Sequence, residues 1–323
     1  ANHLKTDHIT LFAKPNHALE LVEKMPKVYS EPFADTSQIP TLLLSDSVSK
    51  KIKVALSGDG GDELFCGYNR HVFINRFWPL VSKVPIKFRR LLLKSMGWTL
   101  RPFLFESIAA FLGASHHYQM CQKLGLALSS KTETEVYQKL LLGSSFNPSM
   151  LIDSHEYTAN SILGENFLKE NSPLEVMNML DFISYLPNNI LVKVDRASMA
   201  KGLEVRSPFL NQELLDFSFS LPEEFKIEKN RGKHIVREVL KRYIEPELFE
   251  RPKMGFGTPI GKWMNKDLKH WINELFQPQK IKQQGFLNGS MLQDLWQLQL
   301  KGNRQHEKLV WNIVMFQAWL ETQ

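Results

Sequence analysis

Cysteine is almost missing from this chain of 323 residues: Cys66 and Cys121 are the only two. Two thiols so far apart exclude a disulfide framework and a C-x-x-C metal site, and they fit a reducing compartment, the cytoplasm. Apolar runs long enough to span a bilayer are missing too. The most apolar candidate, Arg101 to Ala114, is short and broken by Glu106, and reads as a buried helix. The first residues, Ala1 to His8, contain no basic segment followed by an apolar core, so no secretory signal is read there. No glycine loop leads into Lys-Ser or Lys-Thr, which excludes a Walker A site, and the dinucleotide pattern G-x-G-x-x-G is absent. The histidines never form His-Glu-x-x-His, which argues against zinc hydrolysis. The excess of positive charge is small, +6, and lacks arginine-rich tracts. Nucleic-acid binding is therefore not implied, although a modest positive field steers anions inward. Repeats and low-complexity tracts are also lacking.

What is present begins with Val54-Ala55-Leu56-Ser57-Gly58-Asp59-Gly60-Gly61-Asp62-Glu63. Ile52 to Leu56 has the length and composition of a fully buried parallel strand, and the glycines after it permit close backbone approach. In an open α/β sheet, ligands bind at the carboxyl ends of strands. Three acids crowded into one tight loop call for a cation among them, which suggests a nucleotide and its magnesium. The plainer alternative is a glycine-rich turn whose acids are solvated and cap a following helix.

Residues before this loop read as α/β: a strand near 8–12, a helix around Ala18 to Met25, and a helix from Thr41 to Lys50 started by Pro40. Strands separated by helices imply a parallel sheet. Beyond Gly67 helical periodicity dominates to the end of the chain, with a polar surface loop over 143–153. The expected organisation is an α/β part, residues 1–75, followed by a mainly helical part, 76–323. Trp296, Trp311, Phe316 and Trp319 recur at helical spacing and read as core.

Two more segments are polar in a way that neither a core nor a solvated face explains. In Leu186 to Leu210, a helix over 188–201 places Asn188, Val192, Asp195 and Ser198-Met199 on one face, with Asp195 among apolar neighbours. The alternative is an internal salt bridge of Asp195 or Glu204 with Arg196 or Arg206. In Arg251-Pro252-Lys253-Met254-Gly255-Phe256-Gly257-Thr258-Pro259, prolines and glycines make a stiff loop that could hold Lys253 as a fixed charge on a phosphate or developing oxyanion. The alternative is a helix connector with solvated cations.

Taken in order, Ser30 to Pro40, Leu56 to Phe65, Val194 to Arg196 with Pro208 to Leu210, Gly232-Lys233 and Arg251 to Lys253 resemble the C-terminal synthetase domain of glutamine-hydrolysing asparagine synthetases. The resemblance runs from about residue 1 to the last helices, with weakest motif support over 75–170. It implies a partial parallel-sheet, adenine-nucleotide alpha-hydrolase-like fold, and ATP-dependent adenylation of the aspartate side chain followed by displacement of AMP by ammonia. It further implies that Ser57 and Gly58 contact the AMP portion, that Asp59 serves intermediate formation and ammonia attack, that Asp62 ligates Mg2+, and that Lys253 contacts the phosphates. Asp195, Arg196 and Arg206 would hold the substrate or brace the site. An N-terminal glutaminase domain would supply ammonia, and a homodimer is an open possibility. The family's Ser-Gly-Gly-x-Asp-Ser loop and the glutaminase part are not in this sequence. Together with the opening Ala1, this reads as a fragment of a longer protein, truncated before its first strand and pyrophosphate loop and inactive by itself. Cys66 stands where glycine or alanine is common in relatives, and reads as packing. Two rivals remain: a related enzyme that amidates another carboxylate, such as a sugar acid in polysaccharide synthesis, and a nucleotide-binding or interaction module without turnover.

Overall fold

The computed structural model describes residues 1–10, 12, 15–99, 117–142, 163–250, 258–303 and 306–323. Lys253, the expected helix Glu106 to Gly113 and the expected loop 143–153 lie outside the described residues.

Two strands carry the site. β1, Val54–Leu56, pairs in parallel with β2, Glu204–Arg206, in the register Val54 to Glu204, Ala55 to Val205 and Leu56 to Arg206. Between them, the described residues are mainly helical. The expectation of a fully buried strand is corrected. Ile52 is 47 % exposed, Val54 42 % and Leu56 74 %. A parallel strand is buried only when neighbours flank it and helices cover both faces, and among the described residues β1 has one neighbour. The strand expected near 8–12 is also corrected: residues 8–10 and 12 are irregular, and Ile9 and Phe12 face solvent. Apolar alternation has no hold without a partner ladder.

Two cores form around these strands, and each joins distant parts of the chain. The first unites the helices Pro15–Val22, Met25–Tyr29 and Gln38–Ser49 with the C-terminal helices, where Trp296 and Trp311 are nearly fully buried. The second gathers Phe73, Ile74, Phe77 and Trp78 of the helix Asn69–Val81 with Val136, Tyr137, Val176, Met177 and Leu180. Cys66 is fully buried beside Leu174 and Ile227, and burial pushes its thiol up to about 12, so it acts as a small apolar side chain.

The helix Pro173–Leu180 starts on a capping box, with Ser172 Oγ accepting from Glu175 N at 3.1 Å and Glu175 Oε2 accepting from Ser172 N at 2.8 Å. It then runs without a break into an eleven-residue π-helix, Asp181–Leu191, and onward as the α-helix Val192–Met199. The i→i+5 bonding changes the helical phase ahead of residue 192. Asp195 lies in the α-helical part, on a face that is turned to solvent: its side chain is 60 % exposed and Met199 is 57 % exposed, correcting the apolar surroundings expected for Asp195.

Candidate active site

The glycine loop is built at the carboxyl end of β1. Ser57 N bonds Arg206 O at 2.9 Å, and the Ser207 hydroxyl donates to Asp59 O, so β2 and its extension hold both ends of the loop. Gly60 has φ +86°, and a methyl there would strike Leu210, while Gly61 lies against the Phe209 ring. Pro208–Leu210 is thus the shelf on which the glycines rest. The loop passes into the short helix Gly61–Leu64, whose first turn carries Asp62 and Glu63.

A cavity of about 390 Å³ opens over this loop. One wall is Gly58, Asp59, Gly60, Asp62 and Glu63; a second is Asp35, Thr36 and Ser37; the third is Tyr68, Tyr185, Ile190 and Lys193. Of the residues expected at the site, Gly58, Asp59 and Asp62 line the cavity. Ser57 Oγ is buried just beneath, without a hydrogen-bond partner among the described residues. Asp195 and Arg196 form an exposed pair at 3.9 Å, and Arg206 pairs with Glu204 at 2.7 Å, also exposed; none of the three lines the cavity. Thr258, which directly follows the Arg251 to Gly257 stretch, donates to Thr36 O at 3.3 Å on the second wall.

Asp62 forms an ion pair with Lys233 Nζ at 2.8 Å. Lys233 arrives by a local route. The hairpin of β3, Ile227–Glu228, and β4, Arg231–Gly232, turns through Lys229 and Asn230, both with positive φ, as a tight two-residue hairpin requires. Lys233 itself sits at φ +59° and bonds Phe65 O through its N–H at 2.9 Å. A side chain on Gly67 would collide with both Asp62 and Lys233, so the pair depends on that glycine.

Sequence reasoning counted Glu63 among the three crowded loop acids, and assigned no role to Asp35, Lys193 or Tyr68. Asp35 Oδ1 accepts from Ser37 N at 2.9 Å and Ser37 Oγ at 2.7 Å, and Oδ2 accepts from Asn189 Nδ2 at 3.1 Å and Lys193 Nζ at 3.3 Å. Burial pushes the Asp35 carboxyl up, but Lys193 and these donors outweigh it and hold it below the usual carboxylate range. The Asp-Thr-Ser spacing, which favours a side chain bonding the backbone two residues on, was the available signal. Glu63 is buried and accepts from the Tyr68 hydroxyl; burial raises its carboxyl more than that bond lowers it.

Behind Tyr68 lies a charged network centred on the fully buried Asp181. The Arg70 guanidinium is 3.8 Å from the centre of the Tyr68 ring and 4.5 Å from that of Tyr185, and its Nη2 donates to Asp181 Oδ1 at 2.7 Å. His71 Nε2 is 2.6 Å from Asp181 Oδ2, and Tyr137 donates to Oδ1. These partners are dispersed through the chain, and local sequence patterns carry no sign of them.

The model of the asparagine synthase family matches residues 1–321. The chain belongs to the asparagine synthase family. Asparagine synthetase (glutamine-hydrolysing) 1 of Bacillus subtilis (strain 168) is 24 % identical over 310 residues, which is 93 % of this chain and 46 % of that protein. A provisionally named asparagine synthetase (glutamine-hydrolysing) of Mycobacterium tuberculosis (strain ATCC 25618 / H37Rv) is 26 % identical over 323 residues, 95 % of this chain and 45 % of that protein. Amidase chyE of Penicillium rubens (strain ATCC 28089 / DSM 1075 / NRRL 1951 / Wisconsin 54-1255) is 25 % identical over 284 residues, 81 % of this chain and 41 % of that protein. The chain thus spans less than half the length of these curated relatives.

Among the described residues no three His, Cys, Asp or Glu side chains converge as an all-protein metal cage would need, and no helix is long and apolar enough to cross a membrane. Magnesium in nucleotide sites needs less, one or two carboxylates with phosphate oxygens completing the shell. The acid wall of Asp59 and Asp62 fits that requirement, and the partnerless Ser57 Oγ fits a nucleotide's polar edge.

Proposed function

We propose that this chain is the carboxylate-activating and amide-forming part of an asparagine synthetase, acting on ATP and aspartate in the cytoplasm, with ammonia supplied by a glutaminase partner domain. The observation that carries the reading is the cavity over Gly58 to Glu63, where a glycine loop, a row of acids and Lys193 meet. An aspartate carboxylate oxygen attacks the α-phosphorus of ATP and the bond to pyrophosphate breaks. Ammonia then attacks the acyl carbon and the bond to AMP breaks. The glycines let the loop backbone approach the AMP portion, with Ser57 Oγ directed to the same edge. Lys253 serves as the fixed cation on the leaving phosphates. Asp59 takes the proton lost as the amide forms. Asp62, aimed by Lys233, would hold Mg2+, which neutralises phosphate charge when bound. Asp195, Arg196 and Arg206 brace the end of β2.

The sequence has no Ser-Gly-Gly-x-Asp-Ser loop. The test is release of AMP and pyrophosphate from ATP, Mg2+ and a panel of carboxylic acids, by the chain alone and mixed with a glutaminase polypeptide. Aspartate-dependent release on mixing supports the reading, and turnover with no preference for aspartate refutes it. The amidase relative, matched over 81 % of this chain, favours a second reading in which another acid, a sugar acid for example, is amidated; the same panel separates the two.

A further inference from the structure

The cavity is acidic on two walls, with Asp35, Asp59, Asp62 and Glu63, and Lys193 is the one cation among the described residues that line it. An acceptor acid entering such a site meets repulsion unless a positive charge receives it. Asp35 cannot itself serve as a ligand group, because four donors already fill both of its oxygens. Lys193 is differently placed. An ammonium carries three donors, and Asp35 takes one of them, at 3.3 Å the longest of the four bonds on that carboxylate. The Lys193 side chain is 13 % exposed, and its backbone carbonyl accepts from the Tyr29 hydroxyl at 3.1 Å, so the side chain is fixed at its root. Three of the four bonds on Asp35 would hold that carboxylate in place without Lys193. The geometry is that of a carboxylate orienting a cation toward the cavity.

We propose that Lys193 is the anchor for a carboxylate of the acceptor acid, and that Asp35, held by Ser37 and Asn189, is the positioning residue that aims it. This rests on the reading that the cavity takes an acid and a nucleotide, and it assigns the acid's charge to a named cation.

The test is calorimetric titration of the full chain with L-aspartate and, separately, with Mg-ATP. Lys193→Gln should weaken aspartate binding about 10- to 100-fold, the range of a lost charge-assisted hydrogen bond, and leave Mg-ATP binding within about twofold. Lys193→Arg keeps the charge and should restore most of the aspartate affinity, which loss of fold in the glutamine variant would not predict. Asp35→Asn should weaken aspartate binding by less, about three- to tenfold, because the charge remains but its direction is relaxed. Unchanged aspartate binding by Lys193→Gln overturns the anchor, and selective loss of Mg-ATP binding makes Lys193 a phosphate contact instead. Wild-type chain that binds Mg-ATP without aspartate also overturns the anchor. Wild-type chain that binds neither overturns the functional reading, and the anchor with it.

Discussion

Asp181 is completely buried, and its carboxylate is the charged partner of Arg70, whose own side chain is 13 % exposed. Replacing Asp181 by Ala leaves that guanidinium between two tyrosine rings without a counter-charge, and removes the acceptor used by Tyr137 and faced by His71. Breaking a buried pair on one side costs about 3–5 kcal/mol, and Asp181→Asn, which keeps an acceptor, should cost about 1.5–3 kcal/mol. Both are a large share of the roughly 5–15 kcal/mol by which a domain is stable. Replacing both partners, as Asp181→Leu with Arg70→Met, should recover part of the loss, since the uncompensated charge then disappears. Burial pushes the Asp181 carboxyl up, but His71 and Arg70 outweigh it and hold it below 3.8. The folded chain therefore keeps this carboxylate ionised at lower pH than the unfolded chain does. Its contribution is complete above about pH 5 and drains away as pH falls through the depressed value. Urea denaturation followed by circular dichroism, at pH 7 and at steps below pH 5, measures both effects. A cost for Asp181→Ala under about 1 kcal/mol, or a double variant no better than the worse single one, would refute the argument.

Asp62→Asn should cripple adenylate formation while leaving the fold intact; near-normal pyrophosphate release with ordinary magnesium dependence would count against the metal role. Lys253→Ala should lower turnover by about two to three powers of ten, with a smaller change in apparent ATP affinity. Loss of affinity at unchanged turnover would reduce that lysine to a phosphate contact. Lys233→Gly relieves a left-handed backbone at φ +59° and should leave thermal stability unchanged or raise it by about 1 kcal/mol, while magnesium-dependent activity falls because Asp62 loses this ion pair. A melting scan alongside the pyrophosphate assay reads both. Gly67→Ala should also impair activity, by driving Asp62 and Lys233 apart.

The glycine loop was legible because its chemistry is local: glycines and acids within a few residues predict backbone approach and a cation before any tertiary contact is known. The same holds for Cys66, whose small side chain suits a buried position, and for the helix around 69–81, whose periodicity is intact over three turns. The surroundings of Asp195 were not legible, since helical spacing says which residues share a face and tertiary packing decides whether that face is covered; here Met199 on the same face is 57 % exposed. In Asp-Phe-Ile-Ser-Tyr-Leu-Pro-Asn-Asn-Ile-Leu the one local sign of departure from α-helical bonding is Pro187, which has no N–H to donate; it does not by itself specify i→i+5 bonding. Partners such as Arg70 and Asp181 are 111 residues apart, and a single sequence carries no local pattern joining them. The exposure of β1 escaped for a related reason: a run of apolar residues reports what a strand can bury, and the layers around it decide what it does bury.

The continuous rod from Pro173 to Met199 also works as a gear. Asp181 engages the helices behind the cavity, and twelve positions later Lys193 meshes with Asp35 in front of it. Removing one residue from the π-helical part between them would turn everything downstream by roughly a quarter turn relative to Asp181. Val194 would then point where Lys193 does. Stepwise single-residue deletions from 182 to 192 should therefore abolish activity almost uniformly, whichever side chain is removed, whereas conservative substitutions at exposed positions of the same stretch should be tolerated.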